Sequence, residues 1–456
     1  MRYEKPQILR HHSGSMNKFG RGCLQRPLSA LDGVDLKPLA EEFGTPLYLI
    51  SEKTLLGSIR AARRAFDHRY PRATLAWSYK TNYLKAVRAL LHREGAWAEV
   101  VSPLEYEMAR ALGMPGSKII YNGLAKTQDS LKRAVREGAI VHADHFDDIA
   151  MLEKAAASQK SPHSRFPMGI RINLDAGVYP PWHHFGFNLE SGQALEAARR
   201  VRGMKSLALK GLHCHLGTFI LDKDAYRRAM VKLLDFSETL KRELGVKIEW
   251  LDCGGGFASI NTLRSSYLMG EHLTPSIDEY AACVTEPILK RRKNPADMPD
   301  LYIESGRAIV DEAGSLLSSV LAAKRLPDGK NALVIDAGVN SLFTAFWYKH
   351  DIALTTESSS MMEDTVIYGP TCMDIDVVRE SVQLPPLARG DLLLIKNAGA
   401  YNMTQWMQFI TERPAVVLLS EGGKAELIRE RETLEDMTAP ERLPARLKGP
   451  SPRHRP

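Results

Sequence analysis

Trp77-Ser78-Tyr79-Lys80-Thr81-Asn82 closes an apolar run at 75–80, and seven more such runs follow it at 97–102, 118–122, 140–144, 167–173, 207–215, 247–253 and 301–304. Between them lie helix-patterned or loop segments, for example 127–137 and 223–244, where apolar residues recur at three- and four-residue spacing. Strands that alternate with helices predict a parallel sheet, and eight of them at this spacing predict a (β/α)8 barrel, a TIM barrel in the α/β class. In such a barrel all strand C-termini open at one mouth, so the residues that end the runs are the residues that furnish it. The first run ends in Lys80, the seventh in Gly254-Gly255-Gly256, and the eighth in Glu304-Ser305-Gly306-Arg307.

At 456 residues the chain exceeds a barrel of about 250 residues, which predicts a second domain. After Arg307 the pattern turns to short strands at 315–323, 332–336, 366–368, 392–397 and 415–419, separated by Gly, Pro and Asp, with helix expected only around 403–410. The expected division is therefore an N-terminal segment, 1–44, packing with the β-domain; a barrel, 45–308; an all-β domain, 309–437; and a disordered basic tail, 438–456.

A composition of 44% hydrophobic and 25% charged residues, with no apolar stretch long enough to span a bilayer, predicts a globular protein without a membrane partner. Arg2, Lys5, Arg10 and His11 precede no apolar segment, so the start does not read as a secretory signal. Five cysteines at 23, 214, 253, 283 and 372 form neither an even framework nor a metal spacing, which points to a reducing cytoplasm. The formal charge of +7 is modest and reads as a solvated surface, the sharper alternative being an acidic macromolecular partner. No nucleic-acid partner is expected.

A lysine at a barrel mouth, facing a glycine and arginine cradle after strands seven and eight, is the arrangement that pyridoxal phosphate requires. Lys80 would form the Schiff base as a desolvated amine of lowered pKa. Gly254, Gly255 and Gly256 would let backbone approach the phosphate, with Gly306 and Arg307 completing the cradle. Glu304 would keep the ring nitrogen protonated, and Arg171, at the end of the fifth run, would hold Glu304 or the cofactor. His213-Cys214-His215 ends the sixth run. A His-x-His pair binds metal in some zinc barrels, but no matching ligands accompany it here, so His215 is read as stacked on the ring, Thr218 as a phosphate ligand, and no metal is expected.

These motifs, together with Gly211-Leu212-His213-Cys214-His215-Leu216-Gly217, Gly369-Pro370-Thr371-Cys372 and Gly399-Ala400-Tyr401, resemble the fold-type III pyridoxal-phosphate decarboxylases. That family includes the diaminopimelate, ornithine and arginine decarboxylases and is related to alanine racemase. The resemblance runs from about residue 45 to about residue 414. It implies that Lys80 carries the cofactor, His215 stacks on it, Glu304 meets the ring nitrogen, and Gly256, Arg307 and Tyr401 serve the phosphate. It implies further that Cys372 reaches the active site of a second copy in a head-to-tail homodimer with shared sites, as acid or gate at the reacting carbon. The Gly-Pro-Thr-Cys motif favours decarboxylation over racemisation.

The substrate end departs from the family. Its arginine and following proline correspond to Thr344 and Ala345, and its acidic residue after the active-site cysteine corresponds to Met373. Thr344, Tyr348, Met373 and Asp376 are the candidate substrate-binding residues. Ser305 and His184 replace a usual proline and lysine, and Trp406, Met407 and Phe409, expected on a helix beside Tyr401, would add apolar bulk at the substrate end. The expected activity is therefore α-decarboxylation of an amino acid or amino-acid conjugate, free or carrier-bound, in a specialised biosynthetic pathway. The alternative is diaminopimelate decarboxylation, as in lysine biosynthesis, or that of another diamino acid. A catalytically inactive binding relative is a lesser alternative, since such proteins commonly lose the lysine or the cysteine, and Lys80 and Cys372 are both present.

Overall fold

The structure is a computed structural model that describes residues 27–447 apart from 159–164, 181, 293 and 359. Eight parallel strands, Ala73–Ser78, Trp97–Val100, Ile119–Tyr121, Ile140–Ala143, Phe166–Asn173, Leu207–His213, Trp250–Asp252 and Asp300–Ser305, form a ring. It closes because Phe166–Asn173 pairs with Leu207–His213, and Asp300–Ser305 pairs with Ala73–Ser78. Each of the eight apolar runs supplies one of these strands. The helices between them end on local signals: Thr127 caps Gln128–Glu137, which stops at left-handed Gly138, and Asp224–Leu244 stops at left-handed Gly245.

Outward-facing strand residues join the main core with the helices, whereas inward-facing ones stack in layers. Ala76, Ile120, Trp250 and Tyr302 fill the lower layer, with Trp97 and Ile140 packed against them. Two glycines make that filling possible: a Cβ on Gly211 would lie 1.9 Å from the Trp250 indole nitrogen, and one on Gly169 would lie 2.3 Å from the His142 ring.

The second unit is a sheet in the order Val377–Leu384, Glu363–Tyr368, Asn331–Ile335, Gly314–Arg325, Leu47–Ser51, Ala415–Leu419, Ala425–Arg429, with Leu392–Ile395 pairing Gly314–Arg325 and Ile352–Leu354. Residues 47–51, expected to open the barrel, instead pair antiparallel with Gly314–Arg325 and parallel with Ala415–Leu419. A fully buried strand has the same apolar reading in either sheet, and only its partners decide between them. Helix Leu36–Phe43 covers this sheet through Leu36 and Leu39, which pack with Leu47, Leu49, Leu317 and Val417. Residues 403–410, expected to be helical, form turns and irregular chain. Helix Leu434–Thr438 and a 3-10 turn, Ala445–Leu447, fall at and beyond the start of the expected tail, whose remainder, 448–456, lies outside the described residues, as do 1–26 with Cys23. Among the described residues no helix is long and apolar enough to cross a membrane.

Candidate active site

At the C-terminal mouth of the barrel lies a cavity of about 870 Å³. Its floor is Ser78, Glu99, Asn122, His213 and Glu304, and its rim includes Lys80, Arg171, His215, Thr218, Gly255, Gly256, Gly306, Arg307, Tyr348 and Tyr401. Lys80 reaches it because the first strand ends in a single 3-10 turn, Tyr79–Thr81. A Cβ on Gly306 would lie 2.0 Å from Thr81 Oγ1, so the ends of the first and last strands meet at this point. Tyr401 comes from the second unit. Its backbone N–H donates to the Thr81 carbonyl at 2.8 Å, Asn82 Nδ2 donates to the Gly399 carbonyl at 2.9 Å, and Tyr401 itself is held at φ +64°.

Lys80 Nζ stands 2.5 Å from Glu99 Oε2, a partner the sequence reading missed. Burial pulls the lysine pKa down, but the charges of Glu99, Glu304 and Tyr401 outweigh it and raise the ammonium above an ordinary lysine. The expectation of a lowered Lys80 pKa is therefore corrected, the reason being a carboxylate on the neighbouring strand. The signal was there: Glu99 is the one acidic residue inside the apolar run Trp97-Ala98-Glu99-Val100.

Glu304 accepts from Asn122 Nδ2, and its oxygens lie 3.5 Å from His213 Nε2 and 3.9 Å from His215 Nδ1. His215 accepts the Gly255 N–H on Nδ1 at 3.0 Å, which leaves its ring proton on Nε2. Burial, with the nearby charge of Arg171, pushes His215 down to about 3, so the ring is neutral. His213 and His142 are likewise neutral through burial, and their rings stack at 4.9 Å. His213, Asp252 and Glu304 bring three potential ligand atoms within 4.8 Å of one another, the one such group among the described residues.

Arg307 is buried, with Phe219, Tyr348 and Tyr401 rings 5.5, 5.2 and 4.7 Å from its guanidinium carbon. Its Nη2 donates to Thr218 Oγ1 at 3.4 Å, while Nε and Nη1 have no hydrogen-bond partner. Arg171 does not hold Glu304: it pairs with Asp144 at 3.3 Å and lies over Phe185. Gly254 sits behind the cavity wall, its N–H donating to Asp252 Oδ1 at 2.9 Å.

Two of the expected substrate readers have other tasks. Thr344 is fully buried, its hydroxyl bonded to Asn402 and His350 at 3.0 and 2.9 Å. Asp376 is buried and accepts from Val339 N, Thr371 N and Thr371 Oγ1 at 2.8, 2.9 and 2.6 Å, so it anchors the turn that presents Cys372. Tyr348 does line the cavity, whereas Cys372 is exposed and, with Met373, lies outside the cavity lining. Trp406 packs against Tyr48, donates to the Ser341 carbonyl and also lies outside the lining, as do Met407 and Phe409, so these three do not supply the apolar bulk expected of them there.

Residues 56–311 match the family description "Pyridoxal-dependent decarboxylase, pyridoxal binding domain". The chain belongs to this family. The diaminopimelate decarboxylase of Methanocaldococcus jannaschii is 32% identical over 91% of this chain and 95% of its own length. That of Bacillus subtilis (strain 168) is 30% identical over 89% of this chain and 93% of its own length. A crystal structure of the M. jannaschii enzyme in complex with L-lysine superposes with a TM-score of 0.83 at 29% identity, covering 92% of this chain and 96% of that one.

The protein is thus a pyridoxal-phosphate-dependent carboxy-lyase, and its residues fit the cofactor. Buried Arg307 leaves Nε without a partner and Nη1 without a hydrogen bond, the latter 3.8 Å from Asp311 Oδ2, and a phosphate would supply acceptors for both. The wall beside them is bare backbone: a Cβ on Gly255 would lie 2.1 Å from the Glu304 carbonyl oxygen, and one on Gly256 2.2 Å from the Gly217 carbonyl oxygen. Lys80 keeps 30% of its side chain open to the cavity.

Proposed function

We propose that this decarboxylase releases the α-carboxylate of a diamino acid of the diaminopimelate class, with L-lysine as the product of diaminopimelate itself. The observation that carries the reading is the shared name of relatives about 30% identical over nine-tenths of the chain, among them the archaeal and bacterial diaminopimelate decarboxylases.

Pyridoxal phosphate supplies the electron sink for the bonding pair that CO2 leaves behind. The roles of the chain's own groups follow from their places. Lys80 is the amine at the mouth that would carry the cofactor, and Glu99 is the carboxylate placed to take the proton its ammonium gives up. Glu304, buried where it lines the cavity, would hold the proton on the ring nitrogen of the bound cofactor. Neutral His215 offers a flat wall without charge. Arg307, with Thr218, Gly255, Gly256 and Tyr401, takes the phosphate. Cys372, outside its own cavity lining, acts in a second copy of the chain, where it delivers the proton that replaces CO2. This makes the working form a head-to-tail homodimer. We place it in the cytoplasm, where the free thiols of Cys214, Cys253, Cys283 and Cys372 persist.

A second reading rests on the cavity walls. Trp182, Phe185, Phe219, Phe346 and Trp347 line them, and buried Thr344 leaves no arginine at the family position for a distal carboxylate. These features favour a bulkier, conjugated or carrier-bound amino acid. CO2 release measured on meso-diaminopimelate, ornithine, arginine and N-acylated diamino acids separates the two. The first reading requires kcat/KM on meso-diaminopimelate of about 10⁴ M⁻¹s⁻¹ or more, the range of enzymes on their own substrates. A far lower value there, with turnover of a conjugate, establishes the second.

A further inference from the structure

Glu304 does not stand alone in the barrel. Asp252, on the adjacent strand, is wholly buried and faces the same interior, with its carboxylate among the atoms that lie within 4.8 Å of each other in the Glu304 and His213 group. It is register-paired with His213 on one side and Tyr302 on the other. Its Oδ1 accepts the Gly254 N–H at 2.9 Å, whereas Oδ2 finds no donor.

The surrounding groups explain why. His142 Nδ1 is 3.9 Å from Oδ2, but it bonds Asn122 Oδ1 at 2.8 Å, while its Nε2 accepts from the Trp250 indole at 3.1 Å. His213 is neutral and has no hydrogen-bond partner on either ring nitrogen, and His215 has its acceptor nitrogen committed to Gly255. Lys80 is paired with Glu99, and Arg171 with Asp144. Two buried carboxyl groups therefore stand together with no cation bonded to Asp252. Such a pair does not ionise twice. Glu304 has Asn122 as a donor and faces the cavity, while Asp252 has one backbone donor and lies deeper, so the charge belongs on Glu304. Burial, followed by the Glu304 charge, raises the Asp252 pKa well above the carboxylate range, in the same direction.

We propose that Asp252 is a neutral carboxylic acid that donates its proton to Glu304, and that it is the positioning residue which keeps Glu304 ionised and aimed at the cofactor ring. The proposal rests on the Glu304 role given above, and its first test does not. Infrared spectra of the purified full-length protein at neutral pH should contain the carbonyl stretch of a protonated carboxylic acid, and Asp252→Asn should remove it. This readout needs neither substrate nor a Glu304 contact to the ring.

The second test is the pH midpoint of cofactor retention, followed by visible absorbance. Asp252→Asn still donates to Glu304 and should leave the midpoint in place. Asp252→Ala removes the donor and should move it upward by about one unit, the size of a hydrogen bond to a charged group. Absence of the infrared band, equal midpoints shifted in both variants, or stoichiometric zinc bound by the wild type and lost in Asp252→Asn would each overturn the proposal. Should the alanine variant fail to fold, the infrared comparison with Asp252→Asn still decides it.

Discussion

The Lys80–Glu99 contact sets the charge state of the amine proposed to carry the cofactor. Replacing Glu99 by Gln removes the carboxylate that most raises the Lys80 pKa, so the amine deprotonates more readily. The pH midpoint for pyridoxal phosphate loading, measured by absorbance, should fall by about one unit or more. An unchanged midpoint would mean that Glu99 does not control Lys80. A second residue-scale effect concerns stability. His350 is fully buried, bonded to Thr344 and the Lys396 carbonyl, and burial lowers its pKa from 6.5 to about 4. Between those values the unfolded chain binds a proton that the folded chain refuses, so stability from this group is present above pH 6.5 and is lost as pH falls toward about 4. His350→Gln should therefore flatten the pH dependence of denaturant unfolding in that window, by up to about 1.4 kcal/mol per pH unit relative to wild type.

Among the elements, the barrel strands are held apart or together by what they point inward. The sixth strand carries Gly211 opposite Trp250, whose indole fills the space a Cβ would take and donates to His142. Gly211→Ala should destabilise the fold by about 1–3 kcal/mol through overpacking. It should also disturb the His142–Asn122–Glu304 chain of hydrogen bonds above it. Thermal unfolding with and without pyridoxal phosphate checks this, and a melting temperature equal to wild type would show that the indole moves aside freely. At the barrel mouth, Asp311 ties the two units together: it accepts from Ser259 Oγ, Asn261 Nδ2 and Ala400 N at 2.5, 2.8 and 3.2 Å. That bonding is what brings a residue of the second unit, Tyr401, to the Arg307 guanidinium.

For the whole molecule, the exposed Cys372 and a cavity that lacks it in its own lining lead to one quantitative expectation. Lys80→Ala and Cys372→Ala subunits are each inactive as homodimers when sites are shared. A random heterodimer rebuilds one of its two sites, so mixing equal amounts under exchange conditions should restore up to about one quarter of wild-type activity. No recovery under demonstrated exchange would show that each chain supplies its own complete site.

The eight barrel strands were legible because strands buried on both faces read as unbroken apolar runs, and their ends named Lys80, the glycine cradle and Glu304 with Arg307 as neighbours at one mouth. Residues 47–51 were not legible in this way, since an apolar strand carries no mark of which sheet will take it, and its partners come from 314–317 and 415–419. Nor was the state of the polar interior. Glu99 beside Lys80, Asp252 beside Glu304, and the withdrawal of Thr344 and Asp376 into hydrogen bonds of their own all depend on which strands and turns become neighbours when the ring closes. The sequence by itself determined the barrel, its mouth and the chemistry of the residues gathered there. Only the tertiary structure decided which of them carry charge, because in a dry interior that depends on distances of a few ångströms between residues far apart in the chain.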